Sequence, residues 1–209
     1  MLLNKSFDFS ILENYPRPLI GIDEVGRGCL AGPVCAGVVI LDESKPFDHY
    51  RDSKTLSEDK RKSLSLDIQS HHMWAIGWAS VEEVDAINIR QATFLAMTRA
   101  LEELITKYKL KKEGTLIIDG RDIVPNIKSF KQLAVVKGDQ HLRSISAASI
   151  VAKVARDELM KKLSEEFPYY GFEKHKGYGT EVHREAIAQF KPTIHHRKTF
   201  GGVKEHLST

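Results

Sequence analysis

One stretch near the start of the chain, residues 19–29, joins a strand pattern, two acidic side chains and a glycine-rich bend. It reads LIGIDEVGRGC. Asp and Glu are unfavourable in strands, and burying either carboxylate without a partner is costly. Asp23 and Glu24, next to Gly26 and Gly28, therefore predict a strand end where carboxylates bind cations and the backbone approaches a ligand closely. Because neighbouring side chains on a strand point to opposite faces, we expect the chain to bend here so that both acids share one site.

The same stretch fits two other interpretations. An isolated Asp-Glu pair beside glycines is also typical of a solvated loop. Residues 26–31 match the dinucleotide-binding pattern G-x-G-x-x-A, which must open a helix. Here Gly32-Pro33 and the β-rich run 34–41 follow instead, so a pyrophosphate would find no helix N-terminus. This excludes a nicotinamide or flavin site at this position.

Composition indicates an ordinary soluble globular protein. The chain has 209 residues, of which 42% are hydrophobic, and this suits one domain with additions. The net charge of +3 permits a polyanionic partner without requiring one. Cys29 and Cys35 give neither a disulfide framework nor a metal-binding spacing, and they fit a reducing compartment. No run is long enough for a signal peptide or a membrane span, so we expect a cytoplasmic protein with no membrane partner.

Hydrophobic periodicity predicts an alternation of strands and helices. Strands are expected at 19–23, 34–41, 73–79, 115–119 and 132–136. The first two are joined too closely for a helical crossover, so they should pair antiparallel. Helices are expected from the Ser57 cap, from the capping box at 80–83 through Ile87, and over 89–108, 144–166 and 180–190.

Three of these strands end in acidic residues, at Asp23-Glu24, at Asp119-Gly120 and at Gly138-Asp139. Sites in α/β sheets gather at strand ends, and convergent carboxylates need cations or raised pKa values. Oxygen ligands without Cys or an obligatory His favour Mg²⁺ or Mn²⁺ over Zn²⁺. Two such ions, about 3.5–4 Å apart, suit in-line phosphodiester hydrolysis. From spacing alone, a single-metal phosphatase is an equally good interpretation.

The order of the elements, with acids ending the first, fourth and fifth strands, is that of ribonuclease H-like folds. Six motifs, taken together, closely resemble bacterial ribonuclease HII, the type 2 ribonuclease H family. They are DEVGRG at 23–28, DSK at 52–54, DG at 119–120, KGD at 137–139, ISAASIVAKVARD at 145–157 and HKGY at 175–178. The resemblance covers about residues 17–200.

The resemblance implies an α/β, ribonuclease H-like fold with a mixed five-stranded sheet flanked by helices. It divides the chain into a lead-in at 1–17, a catalytic core at 18–167 and a C-terminal helical extension at 168–209. The extension would complete the substrate-binding site.

The resemblance also implies roles for single residues. The four metal-site carboxylates, which would hold Mg²⁺ or Mn²⁺ and two ions during catalysis, are Asp23, Glu24, Asp119 and Asp139. The backbone of Gly26-Arg27-Gly28 would read the ribose 2′-hydroxyl, the group that separates RNA from DNA. Tyr178 would stack at the RNA–DNA junction. Gly179 stands where the family usually has proline, and a glycine there gives the tyrosine's loop more freedom.

Four further residues are weaker candidates for phosphate contacts, because hydroxyl and ammonium groups can position a nucleic-acid backbone. They are Lys54, Ser146, Ser149 and Lys176. The histidines lack metal-site spacing, and most are interpreted as packed or solvated.

The resemblance implies a metal-dependent endoribonuclease that cuts the RNA strand of RNA–DNA hybrids. It would also cut 5′ to single ribonucleotides embedded in duplex DNA, leaving 3′-hydroxyl and 5′-phosphate ends, and so remove misincorporated ribonucleotides. We expect a monomer, and the residues name no protein partner. Three alternatives stay open: a junction resolvase, a hybrid-binding module without activity, and the type III branch, which usually carries an N-terminal substrate-binding extension.

Overall fold

A mixed β-sheet forms the centre of the fold. The computed structural model describes residues 2–3, 9–50, 56–125 and 127–207. The strands are β1 (Leu2–Leu3), β2 (Leu19–Val25), β3 (Val34–Ile40), β4 (Met73–Ala79), β5 (Thr115–Asp119) and β6 (Lys131–Val135). Their order across the sheet is β1-β6-β5-β2-β3-β4. The predicted antiparallel pairing of β2 with β3 is confirmed, and β2, β5 and β6 run parallel.

All five predicted strands are confirmed, two with the predicted bounds and three with bounds that differ by one or two residues. The sheet has one strand more than expected, because β1 pairs parallel with β6 at the edge. Two residues are too short a run to show a hydrophobic period, so this strand left no signal in the sequence.

The helices are α1 (Glu58–His71), α2 (Val81–Tyr108), α3 (Gly138–His141), α4 (Arg143–Glu166), α5 (Phe172–His175) and α6 (Glu181–Phe190). Short 3₁₀ turns lie at Phe9–Asn14, Pro168–Tyr170 and Lys204–His206. Among the described residues, no helix has the length and apolar character needed to cross a membrane.

Helix α2 is two helical segments that meet at Asn88. This residue has a φ of 67° and a ψ of 162°, outside the helical region. Its side-chain Oδ1 accepts hydrogen bonds from the backbone N–H groups of Arg90 at 3.0 Å and Gln91 at 3.2 Å, so it caps the second segment. The two helices predicted from the sequence, one ending at Ile87 and one beginning at Ile89, are therefore confirmed.

Glycines let α4 lie directly on the sheet. A Cβ added at Gly21 would lie 2.2 Å from the carbonyl carbon of Ser144, and one added at Gly37 would lie 2.3 Å from the carbonyl oxygen of Ala148. Helix α2 covers the opposite face and packs with Ile20 and Ile22. The two faces of β2 therefore meet different helices, α4 on one side and α2 on the other.

The C-terminal part of the chain packs onto α4 and onto the segment that follows β2. A separate hydrophobic cluster joins Leu30 and Ala31 to Met160 of α4 and to Phe172 and Ile187. The residues after Pro168 are thereby fixed beside the glycine-rich bend.

Candidate active site

The two acids of β2 lie inside the strand and not at a bend. The strand continues through Val25, and Asp23 and Glu24 pair with Gly37 and Ala36 of β3. The expectation that the chain bends between them was wrong, because the antiparallel ladder extends two residues further than predicted. The two carboxylates stand on alternate faces at the end of the strand.

Asp23 is a buried carboxyl whose charged form is disfavoured by burial and by neighbouring acids. Its exposed fraction is 5%. Burial raises its pKa well above the usual value, and the negative charges of Glu24 and Asp119 raise it further. Hydrogen bonds from the Ser149 hydroxyl and from the Glu24 backbone N–H, the latter at 2.8 Å, oppose this shift. A cation near Asp23 would relieve both the burial penalty and the repulsion.

Asp119 is hydrogen-bonded to Gly138, the residue that precedes Asp139. Asp119 ends β5, and its Oδ1 accepts a 2.6 Å hydrogen bond from the Gly138 backbone N–H. Asp139 follows Gly138 in the first turn of α3 and is 1% exposed. The segment that follows β6 is thus fixed against the end of β5, and the acids of β2, β5 and α3 lie at the same edge of the sheet.

Arginines share this edge with the acids. Glu24 and Asp119 line a small cleft together with Arg27, Arg90 and Arg121. Arg27 Nη1 lies 3.0 Å from Glu24 Oε1. Arg90 and Arg121 were not predicted from the sequence, since each lies in an ordinary polar segment and only the fold brings them to the cleft.

Arg156 packs against the glycine-rich bend after β2. Gly26 has a φ of +95°, and a Cβ there would lie 2.2 Å from Arg156 Nε. Arg156 is fully buried and donates to the carbonyl oxygens of Pro33 at 2.9 Å, Lys176 at 2.8 Å and Ala31 at 3.0 Å.

A second buried arginine, Arg197, holds the same bend from the C-terminal extension. It donates to the carbonyl oxygens of Gly26 at 2.6 Å, Arg27 at 2.8 Å and Gly32 at 2.8 and 3.0 Å. The roles of Arg156 and Arg197 were not predicted from the sequence, because their partners are backbone carbonyls that no motif marks.

Tyr178 lies beside the glycine-rich bend. It forms an isolated β-bridge with Cys29, and the carbonyl oxygen of Gly177 accepts from the N–H groups of Leu30 at 2.8 Å and Ala31 at 3.3 Å. The residue is 45% exposed, so its ring has a free surface. The structure therefore brings together Tyr178 and residues 26–28, the two elements assigned to sugar recognition.

The weaker candidates for phosphate contacts are mostly buried in the structure. Lys54, with the DSK motif, lies outside the described residues. Ser146 is fully buried, Ser149 is 3% exposed, and Lys176 is 8% exposed with its ammonium donating to the Glu173 carbonyl. Buried side chains offer no surface to a phosphate, so the expected contacts of Ser146, Ser149 and Lys176 are not supported. Ser149 instead supports Asp23.

The donor chemistry of this edge fits a hard divalent cation. Asp23, Glu24, Asp119 and Asp139 supply only carboxylate oxygens, the ligands that Mg²⁺ and Mn²⁺ prefer. Among the described residues, no three Asp, Glu, His or Cys side chains form a group that could hold a metal ion. The fit therefore rests on the oxygen donors and on the mutual repulsion at Asp23, which a cation would reverse.

Comparison with known proteins agrees with a nuclease of the ribonuclease H class. The solved PCNA:RNase HII complex from Archaeoglobus fulgidus contains a chain that matches with a TM-score of 0.70 and 25% identity, over 90% of this chain and 97% of that one. The Ribonuclease HII family model matches residues 20–202. The chain is 49% identical to Ribonuclease HII of Pelagibacter ubique, over 90% of this chain and 98% of the relative. It is 51% identical to that of Fusobacterium nucleatum, over 88% and 86%.

The chain belongs to the Ribonuclease HII family. Members are nuclease hydrolases with ribonuclease H activity on RNA–DNA hybrids, and dependence on a divalent metal is general to the family.

Proposed function

We propose that this protein cuts duplex DNA on the 5′ side of a single embedded ribonucleotide, in addition to the RNA strand of hybrids. The supporting observation is the bridge between Cys29 and Tyr178, which places a partly exposed aromatic ring beside the glycine-rich bend. The 2′-hydroxyl distinguishes RNA from DNA at one position, and rigid backbone groups beside a ring can test for it. The role that follows is removal of misincorporated ribonucleotides.

The residues that would hold the metal are Asp23, Glu24, Asp119 and Asp139, with two Mg²⁺ or Mn²⁺ ions as the proposed complement. Bound there, such cations would supply activation of the attacking water and neutralisation of charge on the leaving oxygen, and the products would be 3′-hydroxyl and 5′-phosphate ends.

The chain's own groups supply position and charge. The Gly138 N–H holds one oxygen of Asp119, and the Ser149 hydroxyl holds Asp23, so both carboxylates keep a fixed direction. Arg27 places positive charge at the rim of the cleft, where a phosphodiester carries negative charge. Arg197 binds the carbonyls of Gly26 and Arg27, and Arg156 binds that of Ala31, so the bend would present its remaining backbone groups to a ribose.

We further propose a cytoplasmic monomer. The Archaeoglobus relative was solved in complex with PCNA, and a protein of that kind is a candidate partner here. The type III branch is disfavoured, because the two relatives named above are Ribonuclease HII and match at 49% and 51% identity.

The test uses a labelled DNA duplex with one internal ribonucleotide, incubated with the protein and Mg²⁺ or Mn²⁺. An all-DNA duplex and the Asp119→Asn variant are the controls. We expect a single cut 5′ to the ribonucleotide that is absent from both controls. Tight binding without a cut would instead support a binding module, and cleavage of a branched all-DNA substrate would support a resolvase.

A further inference from the structure

Three packed histidines lie directly behind the Tyr178 peptide. His183 and His196 are fully buried, and their Nε2 atoms are 3.1 Å apart. The His175 ring stacks on His183 with a centroid distance of 4.3 Å. Within the described part of the chain these rings do not form a group that could hold a metal ion. Their polar atoms must therefore be explained by the protein groups around them.

Backbone partners fix the tautomer of the two buried rings. The Tyr178 carbonyl can only accept, so His183 Nδ1, at 2.9 Å, carries its proton. The Thr193 backbone N–H can only donate, so His196 Nδ1, at 3.0 Å, is unprotonated. With both rings neutral, the contact between them has one polarity, in which His196 Nε2–H donates to His183 Nε2. A directed chain of hydrogen bonds thus runs from Thr193 through His196 and His183 to Tyr178.

This chain ends on the peptide group that carries the exposed ring. The Tyr178 carbonyl accepts from His183 and, at 2.8 Å, from the Thr180 backbone N–H. The Tyr178 N–H donates to the His175 carbonyl at 2.9 Å. The His175 ring accepts from the Gly177 N–H at 3.2 Å. Both peptides that flank the Tyr178 Cα are therefore held, although Gly179 follows.

We propose that His183 and His196 are positioning residues for ribonucleotide recognition, and that they act by holding the Tyr178 backbone through this directed chain. The inference rests on the proposed function, because it makes the hydrogen-bond chain responsible for orienting the sugar-sensing ring of Tyr178. The rings do not contact the substrate, so their effect on cleavage depends on the presence of the tyrosine side chain.

The surroundings keep the rings of His183 and His196 neutral at physiological pH. Burial lowers the pKa of His183 to about 4, with smaller contributions from the charges of His175 and Arg184. Burial lowers the pKa of His196 to about 3, with contributions from His183, His195 and His175. A proton on either ring would place two donors face to face, so the geometry requires both rings to be neutral.

The first test compares two substitutions at one position. His183→Leu removes the donor to Tyr178, whereas His183→Asn keeps an N–H at the corresponding place. On a duplex with one ribonucleotide we expect His183→Leu to lower kcat roughly tenfold to a hundredfold at a nearly unchanged KM, as misplacement of a positioned group does. We expect His183→Asn to recover most of this loss. His71→Leu, the same change at an exposed histidine of α1, is the control.

A double-mutant cycle separates positioning from simple destabilisation. In a Tyr178→Ala background, His183→Leu should cause no further loss of kcat, because the ring to be oriented is absent. Additive losses would overturn the proposal. A wild-type protein that leaves the ribonucleotide duplex uncut would instead overturn the proposed function and would not bear on the histidine chain.

The second test does not depend on activity or on a variant that folds. Long-range nitrogen-15 NMR of the histidine-labelled wild-type protein reports which ring nitrogens carry protons. We expect His183 as the Nδ1–H tautomer and His196 as the Nε2–H tautomer at pH 7. The opposite tautomer at either ring, or a charged ring, would overturn the directed chain.

Discussion

Arg197 Nη2 donates a hydrogen bond of 2.6 Å to the carbonyl oxygen of Gly26, a residue 171 positions earlier in the chain. The guanidinium is fully buried, and its other bonds reach the carbonyls of Arg27 and Gly32. The conformation of the glycine-rich bend is therefore set by a side chain from the C-terminal extension.

Replacing this guanidinium should unfold the bend. Arg197→Met leaves the carbonyls of Gly26, Arg27 and Gly32 without these donors, and each buried unsatisfied acceptor costs about 1–3 kcal/mol. We expect the free energy of unfolding to fall by about 3 kcal/mol or more, as measured by urea denaturation. Arg184→Met, which removes an exposed arginine bonded to the Gly179 carbonyl, is the control and should cost less than about 1 kcal/mol. Equal costs would contradict the structural role assigned to Arg197.

Two glycines of the bend should respond differently to alanine. Gly26→Ala needs a side chain at a φ of +95° and a Cβ that would lie 2.2 Å from Arg156 Nε, so we expect both stability and cleavage to be lost. A Cβ at Gly28 meets nothing within 4 Å. Gly28→Ala should therefore keep the melting temperature of the wild type.

Gly28→Ala then reports on the substrate alone. If the ribose approaches this backbone closely, cleavage at an embedded ribonucleotide should fall roughly tenfold or more, although the fold is intact. Steady-state kinetics on the single-ribonucleotide duplex would measure this. A fully active Gly28→Ala would show that no sugar comes close to residue 28.

Removing one acidic strand end should separate catalysis from folding. Asp119→Asn keeps an oxygen for the Gly138 N–H but removes one of the charges that raise the pKa of Asp23. We expect cleavage to fall roughly a thousandfold or more, and stability in a chelator to stay equal or rise slightly. The melting temperature should rise with Mg²⁺ or Mn²⁺ in the wild type and less in the variant.

Asp122→Asn is the matched control for that experiment. Asp122 lines the same cleft but pairs with Arg90 at 3.0 Å, and it is half exposed. It should retain cleavage within about threefold of the wild type, as expected for a surface ion pair of small energetic worth. An Asp119→Asn protein with normal metal-dependent cleavage would remove Asp119 from the site.

The buried histidines should make folding sensitive to acid. The pKa values of His183 and His196 are about 4 and about 3 in the folded state, against about 6.5 in an unfolded chain. Above pH 6.5 both states are neutral, and these rings add no pH dependence. As the pH falls from about 6.5 towards 4, only the unfolded state gains protons here, so stability declines.

Urea denaturation at pH 7.5, 6 and 5 would measure this decline. His183→Asn removes one buried titrating ring, so the variant should lose less stability than the wild type between pH 7.5 and 5. Parallel curves for the wild type and His183→Asn would contradict the depressed pKa of His183.

Local signals in the sequence predicted most of the architecture. The strands showed a clear hydrophobic pattern, and the caps at Ser57 and Ser80 accept backbone hydrogen bonds as expected. The division of α2 near Asn88 was predictable, because a capping box opens one helix and an apolar stripe begins the next. Asp23, Glu24, Asp119 and Asp139 were marked by position, since acids seldom end three strands of one sheet by chance.

The supporting contacts could not be predicted, because their partners are distant in sequence. Arg156 bonds to the Ala31 carbonyl across 125 positions, and the His183–His196 contact joins α6 to the following turn. Ser146 and Ser149 looked like phosphate ligands because hydroxyls on a helix suit that role. They are buried because Gly21 lets α4 pack directly against the sheet. A single sequence does not reveal this contact.

The bond from Arg197 to Gly26 has a consequence for the order in which the protein matures. During synthesis the acidic strands emerge from the ribosome first, and the side chain that locks the glycine-rich bend emerges almost last. A growing chain therefore carries the acids proposed to bind metal long before the bend proposed to recognise the sugar is fixed. Selective cleavage activity should therefore appear in a single late step. Nascent or prematurely terminated chains that end before residue 197 should not cleave nucleic acid selectively.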